Sequence, residues 1–282
     1  MTNIPKPIER VLIVTINGKG GVGKTFITTL VAMWLSYHRL LQILLDCDDN
    51  QSLSKLMPQA ERHNLKPSDG IEKLIAQILK KEIGVADFPA NITAELVDLF
   101  ASTEFGPSLD SISGRLVILV PIVANDLVAL DEVRRMVAAV KSAATYVIVK
   151  NERDGEDFSA FDASATGLYL KSLGTPEIRI PKLKANLQQL LNTDRLTLTQ
   201  FVGRYWSMRE TDPKAAFPQT IPAQAAISTL RHIFVQLYGI SSLFLPTAVA
   251  EKVRVETDDE SDELRTFCLN SWAAKHKTQN IT

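Results

Sequence analysis

The sequence is poor in the residues on which several common kinds of site depend. It has two cysteines and four histidines among 282 residues. Cys47 and Cys268 are too few for a disulfide framework or a cysteine-rich zinc site, and they suit a reducing compartment. The histidines are scattered without the spacing of metal ligands. These scarcities argue against a disulfide-stapled domain and a zinc enzyme, and they predict a cytoplasmic protein.

Long apolar runs and net charge are also missing. No uninterrupted apolar stretch reaches the roughly 18 residues of a transmembrane helix, and residues 1–9 lack the apolar centre of a signal peptide. The formal net charge of −1 gives no global argument for nucleic-acid binding, so any contact with DNA depends on a local basic patch. With 45% apolar and 22% charged residues, the composition is that of an ordinary folded domain.

The most informative segment is a run of glycines and lysines between an apolar stretch and a helical pattern. Gly18–Thr25 reads Gly-Lys-Gly-Gly-Val-Gly-Lys-Thr and has the spacing of a phosphate-binding loop. Its glycines allow positive φ and close approach to an anion, which N–H groups at a helix N-terminus then surround. Lys24 would contact the β- and γ-phosphates, and Thr25 would offer its hydroxyl to Mg²⁺. The residues predicted to bind ATP here are Gly20, Gly21, Val22, Gly23, Lys24 and Thr25.

Strand and helix patterns alternate over the first two thirds of the chain. Several strand candidates are almost wholly apolar, as expected of parallel strands that are covered on both faces. The alternation predicts a doubly wound α/β fold with a mainly parallel sheet and ligands at the carboxyl ends of its strands. The predicted strands are Arg10–Ile16, Leu41–Asp46, Ala94–Leu99, Leu116–Pro121, Tyr146–Lys150 and Pro176–Ile180. The predicted helices are Lys24–Tyr37, Gly70–Lys81, Asn125–Lys141, Ala160–Leu173, Lys184–Leu191 and Ala223–Tyr238.

Changes in composition divide the chain into three parts. We expect a P-loop nucleotide-binding domain over residues 1–210, and a proline-rich connection with a C-terminal helix over 211–240. Residues 241–282 are interpreted as an acidic linker and a short tail, since Glu256–Glu263 holds six acidic residues in eight. If the tail is helical, its apolar residues form a stripe that either docks onto this protein or a partner, which we favour, or binds a membrane. The stripe comprises Leu264, Phe267, Cys268 and Trp272.

A second lysine in the loop, Lys19, makes it resemble the deviant Walker A loop of ParA/MinD-type ATPases. The resemblance covers about residues 10–190. In those proteins this lysine reaches the partner's phosphates in a nucleotide-sandwich dimer, as an arginine finger does. The resemblance therefore implies an ATP-dependent homodimer in which Lys19 and Lys24 are catalytic, with slow hydrolysis stimulated by an adaptor protein. The alternative for Lys19 is a solvated loop lysine.

Acidic residues after the second predicted strand resemble the family's Asp-x-Asp-Pro-Gln. Here Asp46 and Asp48 are present, while Asp49 and Asn50 stand in place of the proline and glutamine. The resemblance implies that Asp46 positions the attacking water, or helps to hold the metal, and that Asp48 contributes to the Mg²⁺ site with Thr25. The alternative is a polar strand end that caps the following helix.

The Walker B aspartate should end an apolar strand and contact Mg²⁺ through water. We assign it to Asp98, in the predicted strand Ala94–Leu99, with residues 100–104 as the segment that senses the γ-phosphate. Family members usually read Asp-x-Pro or Asp-x-Ala at this point, and Ala101 lies one place further along. An exposed charge on a short strand is the alternative for Asp98.

Two later residues resemble the family's adenine contacts. Asn151 ends an apolar strand candidate, as does the asparagine with which these ATPases bond the base. Pro181 lies where the family often stacks a proline-containing loop on adenine. An asparagine in a turn is common, so the order and spacing of the two residues carry the inference.

The resemblance leaves three classes of function open. The favoured class is a DNA-segregating ATPase for plasmid or conjugation cargo, of the plasmid StbB/TraL-like branch, with nonspecific DNA binding by the ATP dimer. The alternative is a MinD-like ATPase that positions itself on a membrane. A reductase-like or metal-trafficking relative is disfavoured because bridging cysteines are absent.

Overall fold

The computed structural model describes residues 7–65, 69–78, 80–90, 94–95, 98–99, 102, 105–250, 253 and 260–279. The strands in this part of the chain are β1 (Arg10–Thr15), β2 (Ile43–Asp46), β3 (Glu61–Arg62), β4 (Ile83–Asp87), β5 (Gly114–Val123), β6 (Thr145–Asn151) and β7 (Glu177–Ile180). They form one sheet in the order β3-β2-β4-β1-β5-β6-β7, and each neighbouring pair is parallel. The α/β fold with a mainly parallel sheet that the sequence predicted is confirmed, and the described strands are all parallel.

Helices connect the strands and continue beyond the sheet. In chain order they are α1 (Lys24–Tyr37), α2 (Ser52–Leu56), α3 (Gly70–Ile78), α4 (Phe105–Ser111), α5 (Leu127–Val140), α6 (Ser159–Asp162), α7 (Ala165–Ser172), α8 (Ala185–Asp194), α9 (Leu198–Thr211), α10 (Pro213–Ala216), α11 (Thr220–Gly239), α12 (Ser241–Phe244), α13 (Thr247–Ala250) and α14 (Glu260–Gln279). Short 3₁₀ turns occur at Lys141–Ala143, Glu152–Asp154 and Phe217–Gln219. No helix among the described residues is long and apolar enough to cross a membrane.

The sheet separates two hydrophobic cores, because successive residues of a strand point to opposite faces. Along β1, Val11 and Ile13 join one core, while Leu12 and Val14 join the other. The first core contains side chains from α1, α8, α9, α11 and α14, and the second contains side chains from α4 to α7. Both faces of the central strands are therefore covered, which explains why these strands read as continuous apolar runs.

One predicted strand is wrong, and two strands of the structure, the two-residue β3 and the central β4, were missed. Ala94, Glu95, Asp98 and Leu99 are helical, whereas the strand lies earlier in the chain, at β4. β4 pairs with both β1 and β2, so its residues are buried on both faces. Glu95 and Asp98 are instead exposed, and a charged side chain on a strand like β4 needs hydrogen-bonding partners that offset its burial.

Residues on both sides of position 210 share the first core. α11 packs against α1 and β7, and α14 lies along α9. Residues 211–222 contain the last residue of α9, the helical turns α10 and Phe217–Gln219, and the start of α11. Residues 256–259 of the predicted acidic linker lie outside the described part of the chain, and residues 260–263 begin α14.

The apolar stripe of the tail faces the rest of the chain. Leu264 and Cys268 are buried, and Phe267 and Trp272 pack partly buried against the same core. A Cβ placed on Gly203 of α9 would lie 2.0 Å from the Cys268 carbonyl oxygen, so the two helix backbones approach as closely as only glycine allows. Docking and membrane binding were the two predicted roles of the stripe, and in the structure the stripe is docked onto its own chain.

Candidate functional site

The glycine-rich loop lies between β1 and α1, at the carboxyl end of a central strand. Gly21 has φ of +79° and Gly23, the residue before α1, has φ of +96°. A Cβ at Gly23 would lie 2.6 Å from Nδ2 of Asn151, so this position requires glycine for space as well as conformation. The loop therefore brings backbone N–H groups to a helix N-terminus, where an anion is favoured.

Two asparagines hold this loop in place. Buried Asn17 donates from Nδ2 to the Pro121 carbonyl (3.0 Å) and accepts from the Lys19 N–H (2.9 Å). Asn151 donates from Nδ2 to the Val22 carbonyl (3.1 Å), and the Val22 side chain is itself buried. The loop is thus supported from β5 and β6 before any ligand binds, which limits the ordering that binding must induce.

The strand register brings the carboxylate at the end of β4 to the loop. Asp87, the last residue of β4, lies opposite Thr15 of β1 and Asp46 of β2. Its carboxylate accepts hydrogen bonds from Thr25 Oγ1 (2.7 Å) and Thr28 Oγ1 (3.1 Å). Burial raises the pKa of Asp87 to about 6, and the charge of Asp46 adds to the rise, although the threonine hydroxyls and Lys24 oppose it. Thr25 of the loop and Asp87 at the end of β4 are therefore already connected by a hydrogen bond.

Lys24 lies within the loop rather than in solvent. The residue is 9% exposed, and its Nζ donates to the Lys19 carbonyl (2.9 Å). Burial lowers the pKa of Lys24, while the charges of Asp87 and Asp48 raise it. A phosphate would offer this ammonium several charged oxygens in place of one carbonyl, so Lys24 is positioned to exchange a weak partner for a strong one.

Two cavities meet at the loop. One, of about 650 Å³, has the loop glycines, Lys24, Thr25 and Asp48 in its wall. The other, of about 520 Å³, is mainly apolar and includes Asn151 and Pro181. Gly23, Thr25, Phe26 and Ser52 line both cavities. A polar compartment beside an apolar one, with the loop between them, suits a ligand that has an anionic end and a flat apolar end.

Comparison with known proteins agrees with this geometry. The family described as the CobQ/CobB/MinD/ParA nucleotide binding domain matches residues 13–241. The chain belongs to this family. Among solved structures, one chain of the MinC:MinD cell division protein complex of Aquifex aeolicus is 17% identical, over 79% of this chain and 94% of that chain, with a TM-score of 0.40. A likeness of that degree supports no inference about partners.

In this CobQ/CobB/MinD/ParA domain, β4 lies beside β1 and ends at Asp87, so the acidic residue at that strand end is Asp87 and not Asp98. Asp98 is exposed on a helical stretch. The sequence does contain the expected Asp-x-Pro, as Asp87-Phe88-Pro89, and Phe88 and Pro89 line the loop cavity. Of the predicted sensing segment, residues 100, 101, 103 and 104 lie outside the described part of the chain.

The two aspartates after β2 differ in what they contact. Buried Asp46 accepts hydrogen bonds from the Ser54 N–H (2.7 Å) and the Asp48 N–H (3.2 Å). It therefore holds the first turn of α2, which agrees with the alternative that this strand end caps the following helix. Asp48 lines the cavity that contains Lys24 and the glycines, whereas Asp46 is not part of that wall. Of the two aspartates, Asp48 is therefore the one that shares a cavity with Lys24 and the glycines of the loop.

Lys19 also lies at the loop, but its side chain points to its own chain. Its Nζ donates to Asp126, the N-cap residue of α5, which also accepts from the Ala129 N–H (3.0 Å). The Lys19 side chain is 37% exposed. The lysine thus lies between two environments, an internal carboxylate and the solvent in front of the loop.

The donor set fits Mg²⁺ bound together with a nucleotide. Thr25, Asp48 and Asp87 supply hard oxygen atoms around the loop. Among the described residues, no three or more His, Cys, Asp or Glu side chains are grouped to hold a metal by themselves. Mg²⁺ commonly takes one or two protein oxygens and completes its shell with phosphates and water. The residues of this family member fit that mode.

Proposed function

We propose that this chain is an ATP-driven dimerisation switch that hydrolyses ATP slowly. The observation that carries the proposal is the Thr25–Asp87 pair beside buried Lys24 in a glycine loop. Phosphates in the loop would meet backbone N–H groups and the Lys24 ammonium, and adenine would enter the apolar cavity beside Asn151 and Pro181. The family match supports the nucleotide, and the loop chemistry supports ATP with Mg²⁺.

Each side chain has a distinct part in this reaction. Mg²⁺, when bound, neutralises charge on the transferring phosphoryl group. Thr25, Asp48 and Asp87 would hold the ion directly or through water. Asp46 would position the attacking water indirectly, since its carboxylate fixes the Asp48 N–H and the first turn of α2. The part of the chemistry that this chain supplies is thus positioning and charge stabilisation, as phosphoryl transfer requires.

Lys19 is the residue that would link hydrolysis to dimerisation. In a face-to-face dimer it would leave Asp126 and meet the partner's phosphates, adding positive charge to the transition state. The exchange is favourable because a multiply charged phosphate attracts the ammonium more strongly than a single carboxylate at the loop surface. The bond to Asp126 keeps the same charge inside its own subunit until a partner arrives.

We therefore expect Lys19→Ala to separate binding from dimerisation. The variant should bind ATP with an affinity within about threefold of the wild type, because Lys24 and the loop amides remain. It should stay monomeric with ATP and Mg²⁺ and lose turnover. Sedimentation velocity and nucleotide titration measure the two properties. Asp126→Asn, which removes the internal partner and keeps the lysine, is the matched control and should still dimerise. An ATP-dependent dimer of Lys19→Ala would contradict a role in trans.

For the output of the switch we favour DNA, with an adaptor protein that stimulates hydrolysis, as in the plasmid StbB/TraL-like branch. The alternative is the MinD-like role on a membrane. An argument against the membrane role comes from α14, whose apolar stripe is already packed on α9 and on the first core. A stripe in that position offers no apolar face for a bilayer.

This choice predicts that ATP and Mg²⁺ increase binding of the intact protein to random-sequence duplex DNA, and that added salt weakens it strongly. Fluorescence anisotropy at two salt concentrations measures the effect. The same protein should remain in the supernatant when it is centrifuged with anionic liposomes and ATP. Sedimentation with liposomes, and no DNA binding, would replace this output with the membrane role and leave the ATP switch in place.

A further inference from the structure

A buried lysine of the C-terminal helix contacts the end of α2, whose residues line both cavities at the loop. Lys275 of α14 is 5% exposed, and its Nζ donates to the Lys55 and Leu56 carbonyls. These carbonyls end α2, where the last turn of a helix lacks intrahelical donors and the helix dipole favours a cation. Burial, and to a smaller extent the charge of Arg195, lower the pKa of Lys275. The ammonium therefore caps the carboxyl end of a short helix 220 residues away in sequence.

The other end of α2 is held by the acidic residues of the loop cavity. The Ser54 N–H donates to Asp46 (2.7 Å), and Ser52 Oγ lies 3.4 Å from Asp48 Oδ2. α2 has only five residues, and a helix of that length has no stability of its own in water. Its position is consequently set by its tertiary contacts, which are the burial of Leu53 in the first core and the groups that hold its two ends. One end is held by the aspartates and the other by α14.

α2 is also a wall of both cavities. Ser52 lines the phosphate-side and the apolar cavity, and Lys55 and Leu56 line the apolar one. Gln200 of α9 donates from Nε2 to the Leu56 carbonyl (2.9 Å) as well, so α9 and α14 hold the same end. Any shift of that end would change the shape of the apolar cavity and the direction from which Asp48 approaches the loop.

We propose that Lys275 is a positioning residue for the nucleotide reaction: it acts through α2 on Asp46 and Asp48 and links the C-terminal helix to the state of the nucleotide. The proposal deepens the proposed function and rests on it wherever turnover is the readout. The coupling is reciprocal: if α14 affects Asp48 through α2, a nucleotide that changes the position of Asp48 also affects the contact between α2 and Lys275.

The first test compares three variants of the full chain. Lys275→Met keeps the length of the side chain and removes its charge, Lys275→Arg restores a cation, and Lys277→Met changes an exposed lysine two positions further along α14. We expect Lys275→Met to lower kcat about tenfold, since small displacements of catalytic groups have effects of this order or larger. Its affinity for ADP should stay within about threefold. Lys275→Arg should recover most of the rate, and Lys277→Met should match the wild type. An unchanged kcat in Lys275→Met, or equal losses of kcat and ADP affinity, overturns the proposal.

The second test needs no turnover. Amide hydrogen exchange over residues 52–57 and 264–277 is measured with and without Mg²⁺-ADP. In the wild type we expect the nucleotide to slow exchange in both segments, and in Lys275→Met to slow it only in the first. Faster exchange over 52–57 in nucleotide-free Lys275→Met supports the hold on α2 even if the wild type hydrolyses no ATP, which would defeat the proposed function alone. Identical exchange in the two proteins overturns the hold itself.

Discussion

Lys24→Ala should weaken ATP binding about 100-fold, because it removes a charge-assisted contact of about 3 kcal/mol to the phosphates. The substitution removes little else, because the hydrogen bond described for the Lys24 ammonium goes to a single loop carbonyl. The nucleotide-free protein should therefore keep its stability. Equilibrium titration with a fluorescent ATP analogue measures the loss.

Lys19→Ala serves as the matched control for Lys24→Ala, because it removes the same kind of charge from the same loop. We expect a large loss of ATP affinity in Lys24→Ala and a small one in Lys19→Ala. Thermal unfolding gives an independent readout: ATP should raise the midpoint of the control and leave that of Lys24→Ala almost unchanged. Equal affinities in the two variants would contradict the assignment of Lys24 to the phosphates.

Asp87→Asn should make the nucleotide-free protein more stable at pH 7.5 and almost inactive. The pKa of Asp87 is raised from 3.8 to about 6, so the folded state prefers the protonated carboxyl more than the unfolded state does. Below about pH 4 the carboxyl is protonated in both states, so its burial as a charge does not lower the free energy of unfolding. Above about pH 6 it is ionised in both states, and the loss of stability reaches its full value, about 3 kcal/mol at most. The neutral amide avoids this cost, and a gain of about 1–3 kcal/mol at pH 7.5 is expected.

Urea unfolding without nucleotide at pH 5 and pH 7.5 measures the effect of Asp87→Asn on stability. The difference from the wild type should be smaller at pH 5, where much of the Asp87 carboxyl is protonated. A variant that is less stable than the wild type at pH 7.5, or equally shifted at both pH values, would show that the hydrogen bonds from Thr25 and Thr28 outweigh the buried charge.

The same substitution should lower ATP turnover about 100-fold, as the loss of a group that stabilises transition-state charge does. It should also remove the dependence of ATP affinity on Mg²⁺. Asp98→Asn is the control, because Asp98 is an exposed aspartate on a helical stretch. If Asp98→Asn abolished turnover and Asp87→Asn did not, the assignment of the Walker B role to Asp87 would be wrong.

The sequence carried the local features of this fold well. The loop, the covered strands and most helices have characteristic patterns within a few residues, and α1 begins and ends where the pattern predicted. α9 was missed, although Thr197 and Gln200 form a capping box at its start and supplied a usable signal. Ala160–Leu173 is interrupted because Ser164 caps a new helix, α7, by accepting from the Gly167 N–H.

The missed strand β4 shows why part of the site could not be predicted from local sequence patterns. β4 is short and contains Gly84, and it follows so closely on α3 that the helical pattern extended to its start. Only the register, with Asp87 opposite Thr15 and Asp46, reveals that three distant segments meet. Lys275 is a stronger case, because nothing near it in sequence indicates that its ammonium ends on α2.

The close packing of α14 on Gly203 has a consequence for how the chain is made. The ribosome completes the phosphate loop and the sheet early, but the helix that covers α9 is translated last among the elements described. At ordinary elongation rates the delay between the end of α9 and the end of α14 is on the order of ten seconds. During that time a nascent chain would present an uncovered apolar surface, and we expect chaperones to bind there until α14 arrives.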